Sequence, residues 1–281
     1  MKVLEYPANA SPKERGRIHG ESFRHLIKEI AEIRTELCIT LGSFTDSEQV
    51  MELAKEHLPL LHSWQPDLYA ELYGISEGAD LSLASIVVLN HYTDLRDLNV
   101  DNVDRPSALP PILPEKTYRL EVNDISQEDC SAANVRTERA NLLGQTWDMH
   151  ASAEPYVLML KTPESNEAPA SWLLSITGCL GMAGLNSQGV GITINNLRST
   201  DAKVGAIWPA VVRAALKQSS AIDARDVIMD ATIGSGHHYM VSSAELCFGI
   251  ETTGQLKKIV YSGDPIISSI PTIALMKSLP P

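Results

Sequence analysis

The amino-acid sequence predicts an α+β fold in which helices cover two stacked sheets. Three observations predict it. Helical periodicity dominates the first part of the 281-residue chain, alternating strand-like segments begin near residue 118, and further strands follow two helices near residues 206–231. The hydrophobic fraction of 44% and the charged fraction of 21% are usual for a soluble globular protein. The length allows a large buried core.

The first long helix is predicted to begin at residue 12. Ser11 is a suitable N-cap, a proline follows it, and Glu14 completes a capping box. Apolar residues then recur at helical spacing up to residue 37. Gly16 and Gly20 interrupt this helix, and glycine costs helical stability relative to alanine. We therefore expect both glycines to lie where another backbone packs closely.

The remaining segments are assigned from caps, turns and periodicity. A capping box at residues 45–48 opens a helix to about residue 57. A helix over residues 66–77 is predicted to end at Gly78, and Ser82 caps the next one. Residues 99–116 contain four prolines and are the best candidate boundary. Strands are predicted at 118–122, 130–135, 141–147, 156–160, 172–176, 189–194 and within 237–261, and helices at 206–217 and 221–231.

Charge and cysteine usage exclude several classes of function. The net charge of −12 argues against nucleic acid or an anionic membrane as a partner. No apolar run is long enough to span a bilayer, and the first residues lack the apolar region of a secretory signal. Widely spaced cysteines, at positions 38, 130, 179 and 247, indicate neither a zinc site nor a disulfide framework. We therefore expect a cytoplasmic protein without a metal or another cofactor.

Cys130 stands between the helical part of the chain and the first predicted hairpin. A self-cleaving enzyme would place its nucleophile at such a point, because the cysteine then becomes a new amino terminus. A thiolate is a strong nucleophile, but a free thiol is mostly protonated near neutral pH. An α-amino group has a pKa of about 8 and can accept that proton without a separate histidine.

Four segments of the sequence together resemble one known family. They are residues 15–21 (RGRIHGE), 72–79 (LYGISEGA) with 88–90, 129–131 (DCS), and 184–190 (GLNSQGV) with 195–197. In this order they resemble the acyl-coenzyme A:6-aminopenicillanic acid acyltransferase family, also called peptidase family C45. The resemblance implies a cysteine N-terminal nucleophile (Ntn) hydrolase with a four-layer αββα sandwich.

The resemblance also implies a mechanism and its residues. The precursor would split between Asp129 and Cys130, and residues 1–129 would remain bound to residues 130–281 as a helical pro-segment. Cys130 would be the nucleophile and Asp148 would orient it. Asn195, favoured over Asn196, would hold the acyl oxygen or the new amino terminus. A thioester at Cys130 would pass the acyl group of a small amide to water or to an amine. Acyl-coenzyme A is a candidate co-substrate.

The sequence departs from that family at two kinds of position. Asp129 stands where the family has glycine, and no asparagine follows Asn196, although the family has a later oxyanion asparagine. The C-terminal part also appears short for the family. These departures leave two alternatives open. One is a non-catalytic relative that serves as a binding or scaffold protein. The other is a conventional cysteine hydrolase that pairs Cys130 with His19, His237 or His238.

The sequence leaves other properties of the protein open. Hydrolysis and acyl transfer share one acyl-enzyme, so the sequence does not separate them. A homo-oligomer is also left open. His237 and His238 are adjacent on a predicted strand, where neighbouring side chains face opposite ways, so the pair does not indicate a metal site.

Overall fold

Helices dominate the chain up to residue 98, and strands dominate it from residue 131 onwards. The computed structural model describes residues 1–98, 130–138 and 140–264, together with the backbone of 268–271. The predicted loop at 99–116, the predicted strand at 118–122 and Asp129 lie outside the described residues. The helices before residue 99 are α1 (Pro12–Ser22), α2 (Arg24–Leu41), α3 (Ser47–Glu56), α4 (Leu58–Trp64), α5 (Pro66–Ala79) and α6 (Leu83–Asp97).

A large mixed sheet and a small sheet make up the β-structure of the described residues. The large sheet has the order β1-β4-β5-β6-β7-β8-β9-β10, with β1 parallel to β4 and all other neighbours antiparallel. The small sheet has the order β11-β2-β3 and is antiparallel. The strands are β1 (Lys2–Glu5), β2 (Ser131–Arg136), β3 (Asn141–Gln145), β4 (Val157–Thr162), β5 (Ser171–Ile176), β6 (Ala183–Asn186), β7 (Gly191–Leu197), β8 (Gly236–Ser242), β9 (Cys247–Thr252), β10 (Lys257–Gly263) and β11 (Ser268–Pro271).

The two faces of β8 contact different layers of the fold, the helices on one side and the small sheet on the other. His237 bonds to Asp94 of α6 on one face. On the other face, Met240 packs with Ala132 of β2 and Leu143 of β3. Two later helices, α7 (Trp208–Ala215) and α8 (Ala221–Asp230), join the helical side, where Arg225 lies over the Phe248 ring. The α+β class is confirmed, whereas a fourth, helical layer is not seen among the described residues and stays a prediction.

The helices differ from their predicted bounds in ways that packing explains. Ser11 and Ser82 cap α1 and α6 as predicted. The predicted long helix breaks at Phe23, whose φ of −130° separates α1 from α2. Gly78 was wrongly predicted to end α5. That helix continues to Ala79 and ends at Asp80, which adopts a left-handed conformation with φ of 57°. The sequence analysis assigns no strand to β1 or β6 and no helix to α4.

Reciprocal glycines bring α1 and α5 into backbone contact. A methyl group on Gly16 would lie 1.9 Å from the carbonyl oxygen of Glu71, and one on Gly20 would lie 2.4 Å from that of Ile75. Gly74 and Gly78 of α5 have the same relation to the backbone of α1. The predicted close packing at Gly16 and Gly20 is confirmed.

Replacing Gly16 with alanine should lower the free energy of unfolding by about 1–3 kcal/mol, because neither backbone can yield without separating the helices. Urea denaturation would measure the loss. Gly144→Ala is the matched control, since nothing lies within 4 Å of the added methyl group. Equal stabilities of the two variants would show that the α1–α5 contact tolerates a side chain.

A buried ionic network joins α1, α5 and α7. Glu71 accepts hydrogen bonds from both terminal nitrogens of Arg213, at 2.8 and 3.1 Å, and pairs with Arg15 at 3.3 Å. Tyr6 donates to the same carboxylate at 3.4 Å. Burial opposes ionisation of Glu71, but Arg213 and Arg15 outweigh it and lower the pKa of the carboxyl group. The network therefore fixes how three helices meet.

No single helix among the described residues is both long and apolar enough to cross a membrane. Helices α5 and α6 meet that length and composition only when they are taken together, and they are bent by 116° at their junction.

Candidate functional site

Cys130 lies immediately before β2, at the start of the hairpin that packs on the large sheet. The main-chain N–H of Thr146 donates to the carbonyl oxygen of Ser131 at 2.8 Å, which continues the pairing beyond β3. Cys130 is 8% exposed and lines a cavity of about 40 Å³. The hairpin thus places Cys130 against the large sheet. There, Asn195 of β7 donates a hydrogen bond to the main-chain carbonyl oxygen of Cys130.

Asn195 and Asn196 reach the site from opposite faces of β7. Asn195 is buried and donates its side-chain N–H to the main-chain carbonyl oxygen of Cys130 at 2.6 Å. Its side-chain oxygen has no hydrogen-bond partner among the described residues. Asn196 lines the cavity itself. The sequence analysis favours Asn195 alone, but the structure places both asparagines at the site.

Gln145 fills an opening in the large sheet beside β7. Strands β6 and β7 pair only over Gly184–Ile192 and Leu185–Gly191. Beyond that point the side-chain amide of Gln145 takes the place of a strand. It donates to the carbonyl oxygen of Ile194 and accepts from the Ile194 N–H at 3.0 Å. Gln145 and Ile194 both line the cavity, which therefore lies where the sheet opens.

Asp148 follows the hairpin and lines the same cavity as Cys130. The carboxylate accepts from the Thr146 hydroxyl at 3.0 Å, and that hydroxyl accepts from the Ser131 N–H at 3.0 Å. The Asp148 side chain is exposed. The structure therefore connects Asp148 to the residue after Cys130 through one hydroxyl group.

Most of the cavity wall is apolar. Its large apolar side chains are Trp147, Met149, Leu174, Met182, Ile194 and Trp208. A small ligand in such a mainly apolar cavity contacts few polar atoms of the protein, so each of those atoms helps to orient the ligand. Among the described residues, no three His, Cys, Asp or Glu side chains converge as ligands of a metal ion do.

One histidine that the sequence analysis names belongs to this cavity. His237 lines it, and its Nε2 lies 3.0 and 3.1 Å from the two carboxylate oxygens of Asp94. The sequence analysis missed Asp94. Its signal is a run of polar residues, His91 to Asp94, within a helix that is buried on all sides.

The other two histidines lie elsewhere in the fold. His238 faces the opposite side of the sheet, because it stands across from Asn195 whereas His237 stands across from Asn196. His19 is buried beside Tyr6, and burial lowers its pKa to about 4. The neutral ring accepts the Gly178 N–H at Nε2 over 2.9 Å. Neither His19 nor His238 lines the Cys130 cavity.

The remaining cysteines are buried thiols of low expected reactivity. Cys38, Cys179 and Cys247 are free and buried. Burial raises the pKa of the Cys38 thiol to about 12 and that of Cys247 to about 11, and it also raises the pKa of Cys179. Thiols with such pKa values form little thiolate near neutral pH.

Comparison with known proteins connects the chain to one enzyme. No family model matches the sequence. The chain is 22% identical over 251 residues to the 40 kDa form of acyl-coenzyme A:6-aminopenicillanic-acid acyltransferase from Emericella nidulans. The match covers 89% of this chain but 63% of the relative, so the chain spans less than two thirds of the relative's length. These values support a distant relation between the chain and that acyltransferase.

Proposed function

We propose that Cys130 is the nucleophile of an enzyme that cleaves a small N-acyl amide through a thioester and passes the acyl group to water or an amine. The position of Cys130 supports this proposal. The residue immediately precedes β2, lines a cavity, and has its main-chain carbonyl group held by Asn195 at 2.6 Å. The distant relation to an acyltransferase supports the same reaction class.

The proposal includes self-cleavage between residues 129 and 130. The Cys130 thiol attacks the carbonyl carbon of Asp129, the peptide C–N bond breaks, and the α-amino group of Cys130 takes up the thiol proton. Water then hydrolyses the resulting thioester and frees the new amino terminus. Asn195 grips the carbonyl group on the other side of Cys130, so the nucleophile stays in place while the preceding bond breaks. Residues 1–129 and 130–281 remain associated.

Turnover then uses the freed α-amino group. This amine accepts the thiol proton, and the thiolate attacks the acyl carbon of the substrate. The C–N bond of the amide breaks, and the amine leaves with the proton that the α-ammonium group returns. The acyl group remains on sulfur as a thioester.

Asp148 is proposed as the charge partner of the α-ammonium group. An opposite charge nearby favours the protonated amine that forms when the thiol ionises. The hydrogen bonds from Asp148 through Thr146 to the Ser131 N–H support this role, since they hold the carboxylate beside the cavity. The unpartnered oxygen of Asn195 is a second candidate acceptor for this ammonium group.

Intact-mass measurement and N-terminal sequencing of the purified protein test the proposal. The wild type should give two fragments, the second of which begins at Cys130. It should also become acylated on Cys130 by p-nitrophenyl acetate. Cys130→Ala should lose both properties completely. Cys247→Ala is the matched control and should keep both, because Cys247 lies outside the cavity.

A wild-type chain that stays uncut and takes up no acetyl group would contradict the proposal. That result would favour the alternative of a binding or scaffold protein.

A further inference from the structure

A buried carboxylate fixes the imidazole ring at the Cys130 cavity. Asp94 and His237 are 2% and 1% exposed, and His237 Nε2 lies 3.0 Å from one carboxylate oxygen. Burial opposes ionisation of Asp94, but the facing His237, followed by His91, lowers the pKa of the carboxyl group to about 2. The Thr93 hydroxyl also donates to this carboxylate, at 3.1 Å. Asp94 is therefore a carboxylate, and the ring donates its Nε2–H to it.

The opposite ring nitrogen is consequently an acceptor when the imidazole is neutral. A neutral imidazole carries one N–H, and the hydrogen bond to Asp94 keeps it at Nε2. His237 Nδ1 has no hydrogen-bond partner among the described residues. Since His237 lines the Cys130 cavity, a buried group in that cavity is needed to satisfy this nitrogen.

Trp208 supplies the complementary donor. Its indole Nε1–H is also without a partner among the described residues, and the side chain is 8% exposed. Trp208 lines the same cavity, and its ring centroid lies 6.0 Å from that of His237. An indole N–H can only donate. Two residues of the cavity wall therefore each leave one buried polar atom without a partner among the described residues, an acceptor on His237 and a donor on Trp208.

We propose that Trp208 and His237 bind the water that hydrolyses the acyl-enzyme. A water molecule can accept from Trp208, donate to His237, and still attack with its second lone pair. A neutral amine has one lone pair, so a hydrogen bond from Trp208 would block its attack. The inference rests on the proposed thioester at Cys130 and assigns the protein to hydrolysis rather than to acyl transfer.

The step is a general-base hydrolysis. The bound water gives a proton to His237 Nδ1, its oxygen bonds to the thioester carbon, and the C–S bond breaks. The proton passes from His237 to the departing sulfur, which restores the thiol and releases a carboxylic acid. Asp94 stabilises the transient imidazolium and is a positioning residue, since it acts on the bound water only through His237. The other titratable groups around His237 are His91, Tyr239 and, across the cavity, Cys130 and Asp148.

Stopped-flow kinetics with p-nitrophenyl acetate separate the two half-reactions. The initial burst reports acylation of Cys130, and the steady state together with intact mass reports deacylation. His237→Gln should keep the burst rate within about twofold and slow deacylation on the order of 100-fold or more, so that acetyl-enzyme accumulates. Asp94→Asn and Trp208→Phe should show the same pattern.

His238→Gln is the matched control, because it removes a buried histidine from the adjacent position on the other face of β8. It should deacylate like the wild type. An acylated His237→Gln that deacylates at the wild-type rate would overturn the inference and leave the proposed function intact. If that variant does not fold, normal deacylation in both Asp94→Asn and Trp208→Phe would overturn it.

Two further results would also decide against this inference. A wild type that is never acylated would refute the proposed function and this inference together. Added glycinamide should leave acetate as the main product of the wild type, and a dominant amide product would overturn the assignment to water.

Discussion

Replacing Arg213 with methionine should lower the free energy of unfolding by about 3–5 kcal/mol. Methionine keeps much of the side-chain volume but removes both hydrogen bonds to Glu71 and the one that Arg213 donates to the Leu180 carbonyl oxygen at 2.8 Å. Glu71 has no exposed side-chain surface, so its charge would lose its main partner inside the fold. Urea denaturation followed by circular dichroism would measure the loss.

Two controls separate the buried charge from a general loss of contacts. Glu71→Gln combined with Arg213→Met should recover much of the stability, because no uncompensated carboxylate then remains. Lys161→Met removes an exposed pair with Glu5 and should change stability far less. A single Arg213→Met variant as stable as Lys161→Met would contradict the role of the network.

The wild type should also lose the Glu71 contribution in acid. The folded-state pKa of Glu71 is lowered, so this contribution is fully present above the unfolded pKa of about 4.3. It disappears as the pH falls through the folded-state pKa. The double variant should therefore lose less stability than the wild type between neutral pH and acid.

Iodoacetamide should label Cys130 at least about 100 times faster than Cys247, the least shifted of the other thiols with a stated pKa. A thiol whose pKa is raised from 9.0 to about 11 forms roughly 100-fold less thiolate at neutral pH, and the thiolate is the reacting species. Cys130 lines a cavity, and the proposed mechanism requires its thiolate. Peptide mapping by mass spectrometry after brief exposure would give the four rates.

Labelling in urea provides the control, because unfolding removes the burial that protects the other cysteines. The four cysteines should then react at similar rates. Native protein in which Cys130 and Cys247 react equally fast would contradict an activated nucleophile at position 130 and would weaken the proposed function.

Three of the four resembling segments make contacts that stabilise the fold. Gly16 and Gly20 bring α1 against α5, and His19 ties α1 to the main chain at Gly178. Asn90 donates to the Gly178 carbonyl oxygen and accepts the Leu180 N–H, both at 2.9 Å. Asn186 accepts the Gln188 and Val190 N–H groups at 3.0 Å and so forms the turn before β7. In the sequence, such roles are indicated only by glycine, histidine or asparagine residues within predicted helices and strands.

The candidate site shows a similar division. The hairpin could be predicted, because turn residues and alternating hydrophobicity are local signals, whereas its cysteine is singled out by the resemblance to the acyltransferase family. The role of Gln145 could not be predicted. Its partner Ile194 is free to pair with it only because β6 and β7 separate before that residue, which is a property of the tertiary structure. Asp94 and His237 are far apart in sequence and meet only because α6 packs on β8.

The sequence by itself determined the α+β class, most helices and strands, and the close-packing glycines. These depend on periodicity, capping and backbone conformation, which act over a few residues. The tertiary structure alone decided which side chains share the cavity with Cys130. Strand pairing sets which face each residue presents, so Asn196 and His237 face the cavity whereas His238 does not. The packing of α6 and α7 on that face then adds Trp208 and places Asp94 against His237.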